Sequence, residues 1–158
     1  MNLWLPTNRA DPAVARLADD HYSRQRKGHR QFSPPGQVIV LYIPGDHWPF
    51  RAAAGWVWHR PHPDKAKRMD GYDGWYNCSF FRNESEHLSS ELVEQAIEWA
   101  LYIWGPPECG YDTYVMPSMI KSPNPGYCFQ VVGWAKDGWS SDGKKRRLYL
   151  SYQNTHKG

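Results

Sequence analysis

The spacing of apolar and polar residues predicts a short helix near the start of the chain and a long one in its middle. Asp11 and Pro12 suit the cap and first turn of a helix, and the apolar face that follows predicts a helix ending near residues 22–23. Apolar residues at helical spacing, with glutamates on the opposite side, predict a second helix over residues 88–104. Gly105 and the two prolines after it end that helix.

Apolar stretches that are too short and too β-branched for helices predict the strands. They cover residues 38–43, 51–60, 75–81 and 111–116, and a hairpin covers 134–150 with its turn at Asp142 and Gly143. Asn124 and Pro125 predict a short helix running to Gly133. No internal repeat or domain boundary interrupts this order, so we expect a single domain over residues 1–158.

The long helix connects two strands that we expect to be parallel neighbours, joined by a right-handed crossover. These strands, 75–81 and 111–116, should diverge beyond Phe81 and leave a cleft lined by Arg82, Asn83 and residues 122–128. The strand at 51–60 follows a turn after the strand at 38–43 and should be antiparallel to it, while residues 61–74 form the longest predicted loop.

Composition is typical of one globular domain, with 158 residues, 41% hydrophobic and 22% charged. Three cysteines without a CxxC pair argue against a disulfide framework, so we expect a reducing cytoplasm. No apolar run approaches the ~20 residues of a bilayer span, and we expect neither a signal peptide nor a membrane partner. The net charge of +3 permits nucleic-acid binding without requiring it.

Two stretches in the second half of the chain resemble the Gcn5-related N-acetyltransferase (GNAT) superfamily. Residues 124–138 (NPGYCFQVVGWAKDG) resemble that family's last helix, with Gly133 and Trp134 as its Gly-aromatic ending. Residues 81–96 lie where the family has its pyrophosphate-binding loop and helix N-terminus. The resemblance implies a transferase of the α/β (α+β) class. Its sheet would be mixed and mostly antiparallel, with a central parallel strand pair and helices on both faces.

The chain departs from the GNAT pattern at two points. The loop over residues 82–90 has no glycine and carries two glutamates, which disfavours close approach of a pyrophosphate. The family's frequent catalytic tyrosine, four residues before the helix-ending glycine, is replaced by Phe129. Acetyl-CoA is therefore a disfavoured donor, and the donor is left unknown.

A narrower resemblance accommodates these departures. His21-Tyr22-Ser23-Arg24, together with a GNAT-like second half, resembles the Mom-type DNA-modification proteins of phage Mu and related phages. Those proteins convert adenine in DNA to a carbamoylmethyl form on a GNAT-like fold without the usual acetyl-CoA loop. The resemblance implies a DNA partner, protection against restriction and a location in the host cytoplasm. A small-molecule or aminoacyl-type donor would suit that role.

The candidates for chemistry lie after the first helix, after the strand at 75–81 and at the last helix. His21 at a helix C-terminus would be protonated easily and could act as an acid, a base or a metal ligand; the alternative is a half-buried core histidine. Glu84 could be a general base or simply pair with Arg82. The predicted catalytic set is His21, Tyr22, Ser23, Glu84 and Tyr127.

Ligand binding is expected where a strand end faces a helix N-terminus. Ser89 and Ser90 there have helix capping as their default role, and Asn124 could cap the last helix or read the edge of adenine. The predicted donor-binding or ligand-binding set is Arg82, Asn83, Ser89, Ser90, Ser122 and Asn124. No histidine spacing identifies a metal site, so a metal ion is left as an open option.

Basic loops with aromatic residues between them suit a nucleic-acid groove from which a base is extruded. The alternative is solvated loops around core tryptophans. The predicted nucleic-acid-binding set is Arg24, Arg26, Lys27, Arg30, Arg60, Lys65, Lys67 and Arg68.

The favoured function is therefore a GNAT-fold transferase that modifies a nucleic-acid base, adenine in DNA above all. Two alternatives are open. One is an acyl-CoA-dependent N-acyltransferase acting on an amine of a small molecule or protein. The other is a GNAT-like module that binds DNA or a protein without catalysis. The pattern of residues does not indicate an oligomeric state.

Overall fold

A seven-stranded sheet organises the computed structural model, which describes residues 1–21, 34–62, 67–119 and 124–152. The strands are β1 (Leu5–Thr7), β2 (Gln37–Ile43), β3 (Ala54–Arg60), β4 (Trp75–Asn83), β5 (Gly110–Val115), β6 (Ala135–Trp139) and β7 (Arg146–Ser151). The helices are α1 (Pro12–Ala18), α2 (Ser89–Trp104) and α3 (Tyr127–Val131), with a 3₁₀ turn at Pro117–Met119. The spatial order is β1-β2-β3-β4-β5-β7-β6, in which β4 and β5 are parallel and the other described pairs are antiparallel. The predicted fold class is confirmed.

Helices cover both faces of the sheet, and each face has its own core. α1 packs on β3 and β4 through Val14 and Leu17, which are fully buried. α2 and α3 cover the other face, over a cluster of aromatic side chains that includes Trp56 and Trp58. The indole N–H of Trp58 donates to the backbone oxygen of Ala96 at 2.7 Å and so ties the sheet to α2. These tryptophans therefore belong to the core rather than to a stacking surface.

β4 and β5 are paired over only the first part of their length. The parallel register runs from Trp75 opposite Gly110 to Cys78 opposite Thr113. β4 then continues to Asn83, paired with β3 alone among the described strands. The two strands thus part as predicted, but three residues earlier than the expected point.

A β-bulge in β4 coincides with this parting. Val57 of β3 lies opposite Phe80, whereas the next residue, Trp58, lies opposite Cys78, so Ser79 is the extra residue of β4. The bulge reverses the alternation of side chains along the strand. Cys78 faces the core under α2, and Phe80 faces the core under α1.

The start of α1 is as predicted, but its end is not. The carboxylate of Asp11 accepts hydrogen bonds from the backbone N–H groups of Ala13 and Val14 at 2.9 and 3.4 Å. The helix ends at Ala18, several residues before the predicted end, because two aspartates follow that are weak helix formers and oppose the helix dipole. His21 consequently lies in a turn after the helix, where its backbone N–H donates to the backbone oxygen of Ala18 at 2.9 Å.

Two other elements differ from the predicted order. β1 was not predicted, since its three residues, Leu5–Thr7, include a proline and acquire strand geometry only by pairing with β2. α3 begins at Tyr127 rather than after Asn124. Gly126 precedes it with φ of +83°, and a Cβ there would lie 3.1 Å from the side chain of Leu148.

Candidate active site

Several of the predicted residues lie together where β4 parts from β5, on the face that α1 covers. The ring of His21 lies edge-on against that of Phe80, with centroids 4.9 Å apart. Nη1 of Arg82 donates to the backbone oxygen of Asp20 at 3.0 Å. The structure therefore brings His21 next to the segment that carries Arg82 and Glu84, although about 60 residues separate them in sequence.

Glu84 is held in an ion-paired network that we call the Glu84 cluster: Asp20, Arg51, Arg82 and Glu84. Arg51 forms two hydrogen bonds to the Glu84 carboxylate at 3.1 and 2.9 Å, and Nε of Arg82 forms a third at 2.8 Å. Arg51 also pairs with Asp20 at 2.9 Å. Partial burial disfavours ionisation of Glu84, but the two arginines outweigh it and hold its pKa below the ordinary value.

The sequence left two roles open for Glu84, a general base or an ion pair with Arg82. The ion pair is present in the Glu84 cluster. A carboxylate with a lowered pKa is a weak proton acceptor near neutral pH. The sequence did not predict Arg51 as a site residue. It was read only as the start of a strand, and nothing nearby in sequence indicates that its side chain binds Glu84. The catalytic role of Glu84 stays a prediction.

The surroundings of His21 disfavour protonation of its imidazole, whereas the sequence predicted that they would favour it. Burial and the neighbouring charges of Arg82 and Lys145 disfavour the imidazolium, and together they lower the pKa of His21 to about 3 despite a favourable contact with the backbone of Phe81. The expectation of an easily protonated imidazole is therefore wrong. Its physical basis, a helix C-terminus, is absent because α1 ends at Ala18.

The loop between β4 and α2 is fixed by hydrogen bonds from its own side chains. Nδ2 of Asn83 donates to the His87 backbone oxygen at 2.7 Å and to Oγ of Ser89 at 2.9 Å. Oδ1 of Asn83 accepts from the backbone N–H of Ser85 at 2.9 Å. Side-chain bonds thus give this glycine-free loop one defined path into α2.

The N-terminus of α2 has no side-chain cap. The N-cap position is Leu88, and Ser89 and Ser90 are the first two helical residues, so their predicted capping role is wrong. An uncapped start of a 16-residue helix presents backbone N–H groups and the positive end of the helix dipole. Glu91 lies in the same first turn and reduces this positive potential.

The start of α3 lies on the opposite face of the sheet from His21. α3 packs against α2, and Phe129 belongs to the core on that side. Tyr127 is 61% exposed, while Asn124 exchanges hydrogen bonds with Gln130 at 3.2 Å and does not cap the helix. Of the three segments that carry predicted site residues, the structure therefore brings together His21 and the end of β4, whereas α3 lies apart from them.

Two of the described basic residues that were assigned to nucleic acid take part in internal contacts. The guanidinium of Arg60 lies 4.3 Å from the ring centre of Trp104 and donates to Oε1 of Gln37 at 2.6 Å. Arg68 is ion-paired in the interior, whereas Lys67 is exposed. Other predicted site residues lie outside the described residues, namely Tyr22, Ser23, Arg24, Arg26, Lys27, Arg30, Lys65 and Ser122.

A second charged network, which the sequence analysis missed, lies within the sheet. This Asp112 cluster consists of Arg68, Asn77, Asp112 and Arg147. The carboxylate of Asp112 accepts from Nη1 of Arg68 at 2.7 and 2.8 Å, from Nε and Nη2 of Arg147 at 3.1 and 3.0 Å, and from Nδ2 of Asn77 at 3.0 Å. The guanidinium of Arg147 also lies 3.6 Å from the ring centre of Tyr72. The one signal in the sequence is an aspartate inside an otherwise apolar strand.

A polar cleft of about 370 Å³ opens beside the Glu84 cluster, between the β2–β3 loop and the β4–α2 loop. The residues that line it include Asp46, Glu84 and Glu86, together with His47 and Arg51. Within the described ranges, no group of three or more His, Cys, Asp or Glu side chains could hold a metal ion. No helix in that part of the chain has both the length and the apolar character to cross a bilayer.

The sheet order, the parallel pair that parts at a bulge and the helices on both faces define the GNAT fold. The GNAT domain of S. lividans PAT matches with a TM-score of 0.56 and 15% identity, over 94% of this chain and 89% of that one. An acyl-CoA N-acyltransferase from Pseudomonas aeruginosa matches with a TM-score of 0.57 and 12% identity, over 92% and 97%. At this identity the likeness establishes the fold. No family model and no curated protein matches the chain.

Proposed function

We propose that the protein is an N-acyltransferase that moves an acyl group from a coenzyme A thioester to an amine of a small molecule or protein. The observation that carries this proposal is the parting of β4 and β5 at the Ser79 bulge, from which β4 continues to Asn83, in contact with the uncapped start of α2. A solved structure of the same fold is named as an acyl-CoA N-acyltransferase, which supports this choice of donor.

The described residues fit such a donor at two places. The backbone N–H groups at the start of α2, with Ser89 and Ser90, would hold the pyrophosphate, as helix N-termini hold anions in general. Beyond the end of the β4–β5 ladder, the edges of these two strands that face each other have no strand partner among the described residues, so their backbone groups can bind a ligand. A coenzyme A thioester supplies an activated acyl group when bound there. Glu91 and the absence of glycine in the loop lower the expected affinity without blocking the helix start.

Transfer to an amine forms a bond from nitrogen to the acyl carbon and breaks the carbon–sulfur bond. A cationic amine first loses one proton to solvent and so frees its lone pair. As the neutral nitrogen attacks, it loses a second proton, which the departing sulfur takes up to leave as the thiol. His21 and Glu84 both have lowered pKa values, so neither is matched to accept either proton near neutral pH. We therefore propose that the uncharged imidazole of His21 lines the acceptor site without transferring a proton. The Glu84 cluster stabilises the end of β4. The carboxylates of Asp46 and Glu86 in the adjoining cleft favour a cationic amine.

DNA-base modification stays a prediction from the sequence. Of the motif that suggests it, only His21 lies in the described residues, and Arg60 and Arg68 have internal roles. Mass spectrometry of nucleosides from DNA of cells that express the protein tests this function directly. A modified adenine that depends on the protein would replace our proposal.

Binding of acetyl-CoA tests the proposed function. At ~100 times its Kd, acetyl-CoA should raise the free energy of unfolding by about 2.7 kcal/mol, seen as a higher melting temperature. Ser90→Glu places a negative charge at the start of α2 and should abolish this increase. Ser141→Glu adds the same charge on the exposed hairpin and should retain it. Release of thiol from acetyl-CoA in the presence of polyamines, amino acids or lysine peptides then identifies the acceptor. Absence of any stabilisation of the wild type at millimolar acetyl-CoA would refute the proposal.

A further inference from the structure

A groove of about 570 Å³ lies on the face of the sheet that α2 covers, at the opposite end from the parting of β4 and β5. Tyr111 of β5 pairs with Tyr76 near the beginning of the parallel ladder, and Leu150 of β7 lies opposite Tyr111. We call this site the Tyr111 groove, and the residues that line it include Ile97, Leu101, Tyr111, Leu150 and Tyr152. It shares no lining residue with the cleft beside the Glu84 cluster, so the two are separate.

The residues that line the Tyr111 groove are uncharged. Aliphatic residues line it on α2 and β7, tyrosines line it on β5 and after β7, and no Asp, Glu, Lys, Arg or His of the described ranges is among them. A volume of about 300 to 1,000 Å³ with a largely apolar lining is typical of sites for small molecules. A charged ligand would lose its hydration there without gaining a counter-charge. The groove therefore favours a neutral molecule.

Tyr111 has an unused hydrogen-bond donor at this groove. It is 2% exposed, and its hydroxyl has no hydrogen-bond partner in the part of the chain that the structure describes. The hydroxyl of neighbouring Tyr76, by contrast, donates to the backbone oxygen of Gly105 at 2.8 Å. The other buried side-chain atoms of the described ranges that lack a partner belong to Ser79 and three tryptophans, none of which lines the groove. An unpaired hydroxyl in such a place is expected where a ligand supplies the acceptor.

The position of this donor is fixed by its neighbours. The ring of Tyr111 packs against those of Trp58 and Tyr76, with centroids 5.6 and 6.0 Å apart. Burial, and after it the nearby phenol of Tyr152, raises the pKa of Tyr111, so the hydroxyl keeps its proton at neutral pH. Since Tyr152 also lines the groove, the hydroxyl end of Tyr111 lies on the groove side of its ring.

We propose that the Tyr111 groove binds a neutral aromatic molecule that carries a hydrogen-bond acceptor, to which the Tyr111 hydroxyl donates. Aromatic rings pack favourably against the rings of tyrosines, and the aliphatic residues of α2 suit the flat face of such a molecule. The acceptor would give the buried hydroxyl the partner that it lacks. This site is distinct from the proposed acyl-transfer site, and the inference does not depend on the proposed function.

The test uses two neutral probes of similar shape. Coumarin has two fused rings and a carbonyl acceptor, whereas naphthalene has two fused rings and no acceptor, and calorimetry measures the Kd of each. Tyr111→Phe should weaken coumarin binding about 2-fold to 10-fold, the range for one hydrogen bond, and leave the Kd of naphthalene unchanged. The melting temperature without a probe should stay the same or rise, because the unpaired hydroxyl is gone. Tyr102→Phe, at an exposed position of the same helix α2, is the control and should change neither Kd.

A second pair of variants places the probes in the groove. Leu101→Trp adds bulk at a lining residue and should weaken both probes, whereas Tyr102→Trp, at the next residue of α2, should weaken neither. The proposal is overturned if the wild type binds neither probe, if Tyr111→Phe leaves coumarin binding unchanged or weakens both probes equally, or if acetyl-CoA displaces coumarin. It is also overturned if Leu101→Trp abolishes a dimer seen by sedimentation, which shows that a second copy covers the groove. A wild type that binds acetyl-CoA but neither probe refutes this site alone.

Discussion

In the described part of the chain, a pair of arginines surrounds one carboxylate in both the Asp112 cluster and the Glu84 cluster, and the two clusters differ in exposure to water. In the Asp112 cluster, side-chain exposure is 0% for Asp112, 2% for Arg147 and 6% for Arg68. In the Glu84 cluster the corresponding values are 35% for Glu84 and 24% for Arg51. The same pairing of charges therefore serves two purposes: one holds the interior of the sheet, and the other supports a surface edge beside the proposed site.

Desolvation explains the difference. Asp112 has lost its water and replaced it with five hydrogen bonds from two guanidinium groups and an amide. Removal of the Asp112 carboxylate would leave two buried guanidinium groups without the counter-charge that they share. Glu84 keeps access to water, which can replace a lost arginine at little cost. The partly exposed Glu84 cluster can therefore rearrange around a ligand, whereas the buried Asp112 cluster cannot.

The largest effect is expected for Asp112→Asn. This change leaves Arg68 and Arg147 buried without their shared counter-charge and should lower the free energy of unfolding by about 3–5 kcal/mol. Urea denaturation measures it. Asp137→Asn is the matched control, because Asp137 is an exposed partner of Arg147. It should lower the free energy of unfolding by less than about 1 kcal/mol. A loss that small for Asp112→Asn would contradict our view of the cluster.

A smaller effect, dependent on pH, is expected for His21 beside the Glu84 cluster. The folded-state pKa of about 3 lies below the unfolded value of 6.5, so the unfolded chain binds the extra proton between these values. This group makes the fold less stable as the pH falls from 6.5 towards 3, by about 3 kcal/mol at pH 4. His21→Asn should remove that part of the acid sensitivity in denaturation curves measured from pH 7 to pH 4. The same substitution at exposed His47 is the control, and an unchanged pH dependence in His21→Asn would show that the imidazole is not buried in its neutral form.

The smallest effect is expected for Glu84→Gln. The pair with Arg51 is partly exposed, so the change should lower the free energy of unfolding by less than about 1 kcal/mol. Added salt should reduce the loss further, because it screens the wild-type attraction. Measured at low and at 1 M salt, the loss for Asp112→Asn should hardly change. Equal salt dependence of the two variants would remove the distinction between the clusters.

Local patterns were sufficient for most of the secondary structure. The apolar stripe of α2, the β-branched run of β2 and the Asp142–Gly143 turn each depend on residues close together in sequence, and each element lies where it was predicted. The parallel pairing of β4 with β5 also followed, because a helix between two strands implies a crossover. The sequence also named His21, Arg82 and Glu84 as candidate site residues, and the structure places them close together.

The features that define the candidate site depended on contacts between distant segments. Whether Ser79 is an extra residue in β4 is decided by its register with β3, and register depends on which faces can be buried. The low pKa of His21 arises from the sheet beneath it and from Lys145, more than 120 residues away in sequence. Asp112 is tolerated inside an apolar strand only because Arg68 and Arg147 reach it from other segments. The sequence alone determined which elements form, through local periodicity, whereas charge compensation and strand register exist only once the chain has folded.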